Sequence, residues 1–236
     1  MTLIYFPNEK DAQIKLSTVI PGYPTGFLLE MLSLPENRLD IKFLEAFISA
    51  LNYVDNTIIN LPEDKKHIGG FLITSSTGKF YCNGFNVTAL STQTEIVAPL
   101  LRTIVCKLLT FRVMTIAAMN GHAFGGGCVE IDLGMGLQIG TTTLIKQKVK
   151  DAGAVRRCTL MGHRYTADEA VKDGLVDYTA DPENLLDAAV ELGKQVSKKA
   201  LNRGEALMKT KAEMYKDVII YHHSEPLDKS RYQPKL

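Results

Sequence analysis

Short apolar runs alternate with amphipathic stretches along the first half of the chain, and this alternation constrains the fold more than any other feature. Residues 26–34 have the pattern of a strand, and residues 40–56 place apolar side chains on one helical stripe. Residues 69–76 and 95–111 repeat this order. Residues 113–121 are apolar on both faces, as in a strand buried within a parallel sheet. We therefore predict an α/β chain with parallel strand pairing.

The remaining segments complete this outline. Residues 1–25 are broken by prolines and indicate only a short strand or two, whereas residues 182–201 have helical periodicity. No linker or low-complexity tract divides the chain, so we predict a single domain, with a core over residues 1–200 and a C-terminal helical segment and tail over residues 201–236. The stripe predicted for the first helix consists of Ile41, Leu44, Phe47, Ile48 and Leu51.

The composition favours an ordinary globular protein with a small-molecule partner. The 236 residues are 45% hydrophobic and 22% charged, with a net charge of +1, which gives no electrostatic reason to expect nucleic acid or an anionic membrane. No apolar run reaches the roughly 18 residues of a membrane helix, so we expect a soluble intracellular protein without membrane insertion. The spacing of the cysteines predicts reduced thiols and neither a zinc site nor a disulfide framework. These cysteines are Cys82, Cys106, Cys128 and Cys158.

Two glycine-bearing turns follow apolar runs, at residues 82–86 and at residues 120–128. Glycine permits the tight backbone that turns an amide N–H towards a ligand, although a plain loop or close helix packing also explains a glycine run. If the turns leave adjacent parallel strands, two amides can face one point. A developing enolate oxygen is stabilised by such a pair of donors. Within the second turn, a hydrogen-bonded turn residue is the favoured interpretation of His122.

Four segments in matching order resemble the enoyl-CoA hydratase/isomerase (crotonase) family. They are FLLEMLSLPENRL at 27–39, FLITSSTGKFYCNGFNV at 71–87, TIAAMNGHAFGGGC at 115–128 and LMGHRYTADEAVKDGLVDYTA at 160–180. Within the family, the resemblance is strongest to peroxisomal isomerases of 3-enoyl-CoA to 2-enoyl-CoA. It implies a crotonase-like superhelix of repeated ββα units with a helical C-terminal portion.

The same resemblance assigns the residues of an acyl-CoA site. The oxyanion donors would be the main-chain amides of Phe85 and Gly126. Asn86 stands where the family often has aspartate, which suggests a structural polar contact there. The residues implied in substrate binding are Asn83, Gly84, Phe85, Asn86, Val87, Gly125 and Gly127.

The carboxylates decide which reaction is expected. Moving a double bond needs one base that takes a proton from the α carbon and returns it to the γ carbon, whereas adding water usually needs two carboxylates. Glu130 falls where the family's isomerases carry their proton-shuttling glutamate, and the pattern gives Asp132 no role. The resemblance thus implies conversion of 3-enoyl-CoA to trans-2-enoyl-CoA in fatty-acid β-oxidation. An exposed or capping Glu130 is the other interpretation. An enoyl-CoA hydratase and an inactive, shortened acyl-CoA-binding or interaction protein are the alternatives.

The connection from Gly127 to Glu130 departs from the family. Relatives have a helix and a strand here, on the order of 20 residues, whereas these two residues are three positions apart. Either a deletion has removed one layer of the fold, or the given sequence omits a stretch. A deletion would expose apolar faces that this layer covers.

The resemblance also implies partners and an address. It indicates no metal or redox cofactor, because coenzyme A is part of the substrate, and it implies a homo-oligomer, either a trimer or a hexamer. The terminal residues Pro234, Lys235 and Leu236 resemble the S-K-L signal, which predicts recognition by the peroxisomal import receptor and a location in the peroxisome. His222 and His223 are expected at the surface.

Overall fold

The computed structural model describes residues 2–21, 23–124 and 136–224. The strands are β1 (Leu3–Phe6), β2 (Ile14–Ile20), β3 (Tyr23–Met31), β4 (Phe71–Ser75), β5 (Phe80–Asn83), β6 (Met114–Ala117) and β7 (His122–Phe124). The helices are α1 (Ile41–Ile59), α2 (Val87–Thr92), α3 (Thr94–Leu109), α4 (Ile139–Lys148), α5 (Ala152–Leu160), α6 (Ala167–Lys172), α7 (Leu185–Ser197), α8 (Glu205–Met214) and α9 (Lys216–Ser224). The predicted α/β class, with a helical C-terminal portion, is confirmed.

Two sheets organise the strands. The larger sheet has the order β1-β2-β3-β4-β6, and β5 pairs with β7 in a second sheet. Strands β1 to β3 are antiparallel, whereas β3, β4 and β6 run parallel, as the alternation of strands and helices predicts. The order β2-β3-α1, then β4-β5-α2-α3, repeats the expected ββα unit.

The amino-terminal segment contains two strands, in agreement with the strand or two that its sequence indicates. Two complete strands, β1 and β2, precede residue 21, and β3 begins at Tyr23 rather than at Gly26. Their regularity comes from pairing with one another, which a local pattern interrupted by prolines does not reveal.

Helix α1 supplies much of the core. Its first turn is capped by Asp40, whose carboxylate accepts the N–H of Phe43 at 2.9 Å. Helix α1 lies against β2, β3 and α3. From the predicted stripe, Leu44, Phe47 and Leu51 are buried, while Ile41 and Ile48 are partly buried and pack against the same cluster. The helical periodicity therefore identified the buried face.

Strand β6 is parallel as predicted, but the prediction that it is buried on both faces is wrong. Met114, Thr115 and Ile116 are only partly buried and Ala117 is exposed. The reason is position, because β6 is the last strand of its sheet among the described residues. The N–H of Ala118 donates to β4, so main-chain groups at alternate positions of β6, including Ala117, face away from the sheet.

The C-terminal helices are fastened to the core. Helix α7 packs on β4 and β6, and Gly193 lets it approach the ring of Phe71 closely. Lys211 of α8 donates to the carbonyls of Phe111 (3.2 Å) and Val113 (2.9 Å), directly before β6. Burial lowers the Lys211 pKa to about 8. The division of the chain at residue 200 stays a prediction.

One histidine differs from the sequence expectation. His222, expected at the surface, is only 5% exposed, because its ring lies against Gly140 of α4. Its neighbour His223 is exposed as expected. None of the helices in the described part of the chain combines the length and hydropathy needed to cross a membrane.

Candidate functional site

The two glycine-bearing turns leave neighbouring parallel strands. In β5 and β7, Phe80 pairs with His122, Cys82 with Ala123 and Asn83 with Phe124. Both strands run in the same direction, so their last residues, Asn83 and Phe124, lie at the same end of the sheet, and Gly84 and Gly125 come next in the sequence. The expectation that the turns leave adjacent parallel strands is confirmed as far as Phe124.

The main chain around Phe85 has a defined orientation. Gly84 adopts a φ of 72°, the left-handed region that favours glycine. Its carbonyl accepts the N–H of Leu39 at 2.8 Å. In a planar trans peptide the C=O and N–H point in opposite directions, so the N–H of Phe85 points away from Leu39. Within the described residues that N–H has no acceptor. It is therefore a main-chain donor available to a ligand.

Two side chains implied in substrate binding have structural partners. Asn86 accepts the N–H of Ala89 at 3.2 Å and caps α2, which confirms the structural polar contact expected there. Asn83 donates through Nδ2 to Glu36 at 2.8 Å. Val87 is the first residue of α2, and its side chain is partly buried. Any contact of Asn83 or Asn86 with a ligand therefore competes with these bonds or uses the main chain.

Several predicted residues lie outside the described ranges. For these positions the oxyanion, base and import-signal assignments, and the short connection after Gly127, stay predictions. The predicted site residues outside the described ranges are Gly125, Gly126, Gly127, Glu130, Pro234, Lys235 and Leu236.

The residues between β3 and α1 form the support of this site. Arg38 pairs with Glu36, with Nε to Oε2 at 2.6 Å and Nη2 to Oε1 at 3.3 Å, and its Nη1 donates to the carbonyl of Phe85 at 3.1 Å. The hydrogen bond from Arg38 lowers the pKa of the Glu36 carboxyl, and the bond from Asn83 lowers it further. The sequence feature that could have indicated this support is the pair of opposite charges, Glu36 and Arg38, next to Pro35.

Asn37 joins this turn to the ends of the strands. It is fully buried and left-handed, with a φ of 48°. Its Nδ2 donates to Ser76 Oγ at 2.5 Å and to the Tyr81 carbonyl at 3.1 Å. The carbonyl of Asn37 accepts the Cys82 thiol at 3.2 Å. Asparagine tolerates a left-handed backbone better than most residues, so its place in this turn has a local cause.

His122 was expected in a turn, but the structure places it in β7. Its N–H donates to the Lys79 carbonyl at 2.9 Å, and its exposed ring contacts those of Phe80 and Phe124 at centroid distances of 5.5 and 5.6 Å. Among the described residues, Cys82, Cys106 and Cys158 form no disulfide with one another. The described residues contain no cluster of three side chains suited to a metal ion.

An apolar cleft of about 860 Å³ lies beside β6. Residues 114–119, residues 175–180 and α7 form its walls. Tyr81 reaches it from β5, and burial raises the Tyr81 pKa to about 12, which keeps the phenol neutral. The phenol is 2.7 Å from Thr74 Oγ1. The volume falls within the range of about 300–1,000 Å³ that is typical of small-molecule pockets.

The chain is similar to known proteins in sequence and in fold. Residues 31–131 match the profile of the enoyl-CoA hydratase/isomerase family. An enoyl-CoA hydratase/isomerase family protein of Pseudomonas syringae superposes with a TM-score of 0.74 at 18% identity, over 92% of this chain and 96% of that one. Human mitochondrial delta3-delta2-enoyl-CoA isomerase gives a TM-score of 0.71 at 15% identity, over 94% and 95%. The chain therefore has the crotonase fold, and residues 31–131 are similar to the enoyl-CoA hydratase/isomerase family.

Among curated relatives, the peroxisomal enoyl-CoA delta isomerase 1 of Arabidopsis thaliana is 26% identical over 220 residues. The alignment covers 83% of this chain and 88% of that relative. The similarity thus extends well beyond the segment that matches the family profile.

Proposed function

We propose that the chain is an enzyme that shifts the double bond of a 3-enoyl-CoA to the trans-2 position in fatty-acid β-oxidation. The observation that carries the proposal is the N–H of Phe85, which has no acceptor among the described residues and follows a strand whose parallel neighbour precedes the glycine run in the sequence. A donor placed in this way suits an oxygen that becomes negative during reaction. The match of residues 31–131 to the enoyl-CoA hydratase/isomerase family and the similarity to a relative named an isomerase support the assignment.

In the proposed reaction the amides of Phe85 and Gly126 bind the thioester oxygen. Glu130 removes a proton from the α carbon, and the electron pair of that C–H bond moves onto the thioester to give a dienolate. The new double bond forms between the α and β carbons when Glu130 returns the same proton to the γ carbon. No atom is gained or lost, so the reaction needs no cofactor besides the coenzyme A of the substrate.

The substrate class follows from the same proposal. A fatty acyl chain needs an apolar surface, and the cleft beside β6 offers one within reach of Tyr81, four residues before Phe85. We expect neither nucleic acid nor membrane insertion in the function of the chain.

The decisive experiment is an isomerase assay. The purified chain is incubated with a 3-enoyl-CoA, and formation of the conjugated 2-enoyl thioester is followed by its absorbance. Glu130→Gln is expected to lower kcat by at least about 100-fold, since a positioned general base contributes roughly 10²–10⁴. Asp132→Asn, two residues away, is the matched control and should retain activity.

Other outcomes would assign other functions. Formation of a 3-hydroxyacyl-CoA from a 2-enoyl-CoA, without double-bond migration, would make the chain a hydratase. Binding of an acyl-CoA without turnover of either substrate would make it an acyl-CoA-binding protein. Unchanged turnover in Glu130→Gln would remove the base from the mechanism while leaving the reaction.

We also propose a peroxisomal location and self-association as a trimer or hexamer. The relative named peroxisomal supports the location, and the terminal residues Pro234, Lys235 and Leu236 are the proposed ligand of the import receptor. A fluorescent protein fused ahead of the chain should reach peroxisomes, and removal of these three residues should leave it in the cytosol. Sedimentation equilibrium of the purified chain would give the number of subunits.

A further inference from the structure

The turn between β3 and α1 holds the Phe85 segment at successive main-chain and side-chain positions. The N–H of Asn83 donates to the carbonyl of Glu36 at 2.8 Å, and its side chain donates to the Glu36 carboxylate, also at 2.8 Å. Leu39 lies beside Phe85 as in a short parallel bridge. Its N–H donates to Gly84 at 2.8 Å and its carbonyl accepts from Asn86 at 3.2 Å.

These bonds fix both peptide planes that meet at the Cα of Phe85. The plane before it contains the Gly84 carbonyl and the Phe85 N–H, and Leu39 holds that carbonyl. The plane after it contains the Phe85 carbonyl and the Asn86 N–H. Arg38 donates to the carbonyl at 3.1 Å, and Leu39 accepts the N–H. Because peptide units are planar, rotation of the Phe85 N–H requires at least one of these bonds to break.

Arg38 is the only side chain among the described residues that donates to the Phe85 carbonyl, and it is itself held in place. Two of its nitrogens bond to the Glu36 carboxylate, the planar geometry that suits a guanidinium and that lysine cannot reproduce. The side chains of Arg38 and Glu36 are 38% and 36% exposed. An ion pair exposed to this degree contributes little to global stability, so its effect should be local.

We propose that Arg38, held by Glu36, is a positioning residue that aims the Phe85 amide at the reacting oxygen. The catalytic part of this inference rests on the proposed function, whereas the mechanical part, restraint of the 83–86 main chain, does not. Arg38 need not touch the substrate. It acts through the peptide that follows Phe85 and through the Leu39 segment next to it.

The test uses Arg38→Gln, Arg38→Lys and Glu36→Gln in the full chain. Arg157→Gln is the matched control, because Arg157 forms a comparable two-nitrogen pair with Asp173, with distances of 2.7 and 3.0 Å, in the α5–α6 region. Two quantities are measured for each variant. One is kcat and KM for a 3-enoyl-CoA, and the other is hydrogen exchange of the amides in residues 83–86, measured in the absence of substrate.

We expect Arg38→Gln to lower kcat about 10-fold or more with little change in KM. Loss of an entire oxyanion donor costs about 10²–10³ in kcat, and here the donor stays but is misaligned. The kcat of Arg38→Lys should lie between that of Arg38→Gln and that of the wild type. Exchange at residues 83–86 should accelerate in Arg38→Gln and Glu36→Gln and stay unchanged in Arg157→Gln. The double variant Arg38→Gln/Glu36→Gln should lose less kcat than the product of the two single losses, because both residues act through one contact.

The two readouts separate this inference from the proposed function. If the wild type is inactive but amide hydrogen exchange at residues 83–86 is still faster in the Arg38 variants, the isomerase proposal is wrong. The restraint of the 83–86 main chain by Arg38 would then still hold. Full activity and unchanged exchange in Arg38→Gln would overturn the inference and keep the isomerase. A loss of kcat in Arg157→Gln equal to that in Arg38→Gln would mean that both act through general stability, and would also overturn it.

Discussion

Three consecutive residues before α8 have left-handed backbones. Asn202, Arg203 and Gly204 have φ values of 53°, 58° and 66°. Arg203 is held in this conformation because its guanidinium donates twice to the carbonyl of Leu61, at 2.7 and 3.0 Å. A Cβ built at Gly204 would lie 1.8 Å from the carbonyl oxygen of Arg112. The position thus needs glycine for its backbone angle and for its lack of a side chain.

We predict that Gly204→Ala destabilises the protein by about 3 kcal/mol or more, because left-handed strain adds to a clash with main chain that cannot move freely. Gly174→Ala is the control, since Gly174 has a φ of 74° but no atom within 4 Å of the added Cβ. It should cost only about 1 kcal/mol. Urea unfolding measures both. Equal losses would show that the contact with Arg112 relaxes without cost.

The sequence located the Phe85 turn but not the residues that orient it. The turn is predictable because glycine and asparagine follow an apolar run, a local pattern. The role of Arg38 is not, because its partner carbonyl at Phe85 is 47 positions away and becomes a neighbour only when two repeats fold together. His222 was misassigned for the same reason, since the ring is buried by Gly140 from another helix.

The contact between α9 and α4 depends on an uncharged imidazole. A Cβ at Gly140 would lie 2.9 Å from the His222 ring, so the two helices approach closely at this point. Burial lowers the pKa of His222, and the charges of Arg102 on α3 and of His223 lower it further. Nδ1 of His222 has no hydrogen-bond partner in the described part of the chain. Protonation would therefore place a charge in a site that does not stabilise it.

We predict that acid weakens the packing of α9. Because the folded-state pKa of His222 lies below the ordinary value of 6.5, the unfolded chain binds the proton more readily, and stability is lost as the pH falls below 6.5 through the folded-state pKa. Thermal unfolding between pH 7.5 and 5 should show a smaller decrease in Tm for His222→Phe than for the wild type. His223→Phe, at an exposed position, should follow the wild type. Parallel curves for all three would contradict the prediction.

Helices with regular periodicity, and the buried face of α1, could be predicted from the sequence, whereas the exposure of β6 could not. Helices α1, α3 and α7 follow their apolar patterns closely. Strand β6 has the composition of a central strand, and the sequence of residues 113–121 does not show whether another strand follows in the sheet. Burial of its second face depends on a neighbour, which is a property of the tertiary fold.

At the scale of the whole molecule, the outer edge of β6 adjoins the apolar cleft. Ala117 is exposed there, and its main-chain groups face away from β4. Opposite, residues 177–180 are exposed and form no regular element. No strand of the described ranges pairs with this edge, and an unpaired edge beside apolar surface promotes association between chains unless a charge or a covering segment prevents it.

We predict that Ala117→Lys slows the growth of light scattering at high protein concentration, because a lysine on the edge opposes strand pairing. Ala180→Lys adds the same charge at an exposed position across the cleft and away from the strand, and should have a smaller effect. The measurement is the scattering rate at several concentrations and a fixed temperature. An equal effect of both substitutions would assign the change to net charge alone.

The parallel pairing of β5 with β7 also affects the order in which contacts form during folding. Phe80 and His122 meet across a chain separation of about 40 residues, so this contact forms late compared with contacts within one helix. On the ribosome, a nascent chain that ends before residue 122 contains the Phe85 turn and its supports but not the second turn. Synthesis of the first two ββα repeats therefore leaves the proposed acyl-CoA site incomplete, and the emerging chain should bind the proposed ligand only after β7 has left the exit tunnel.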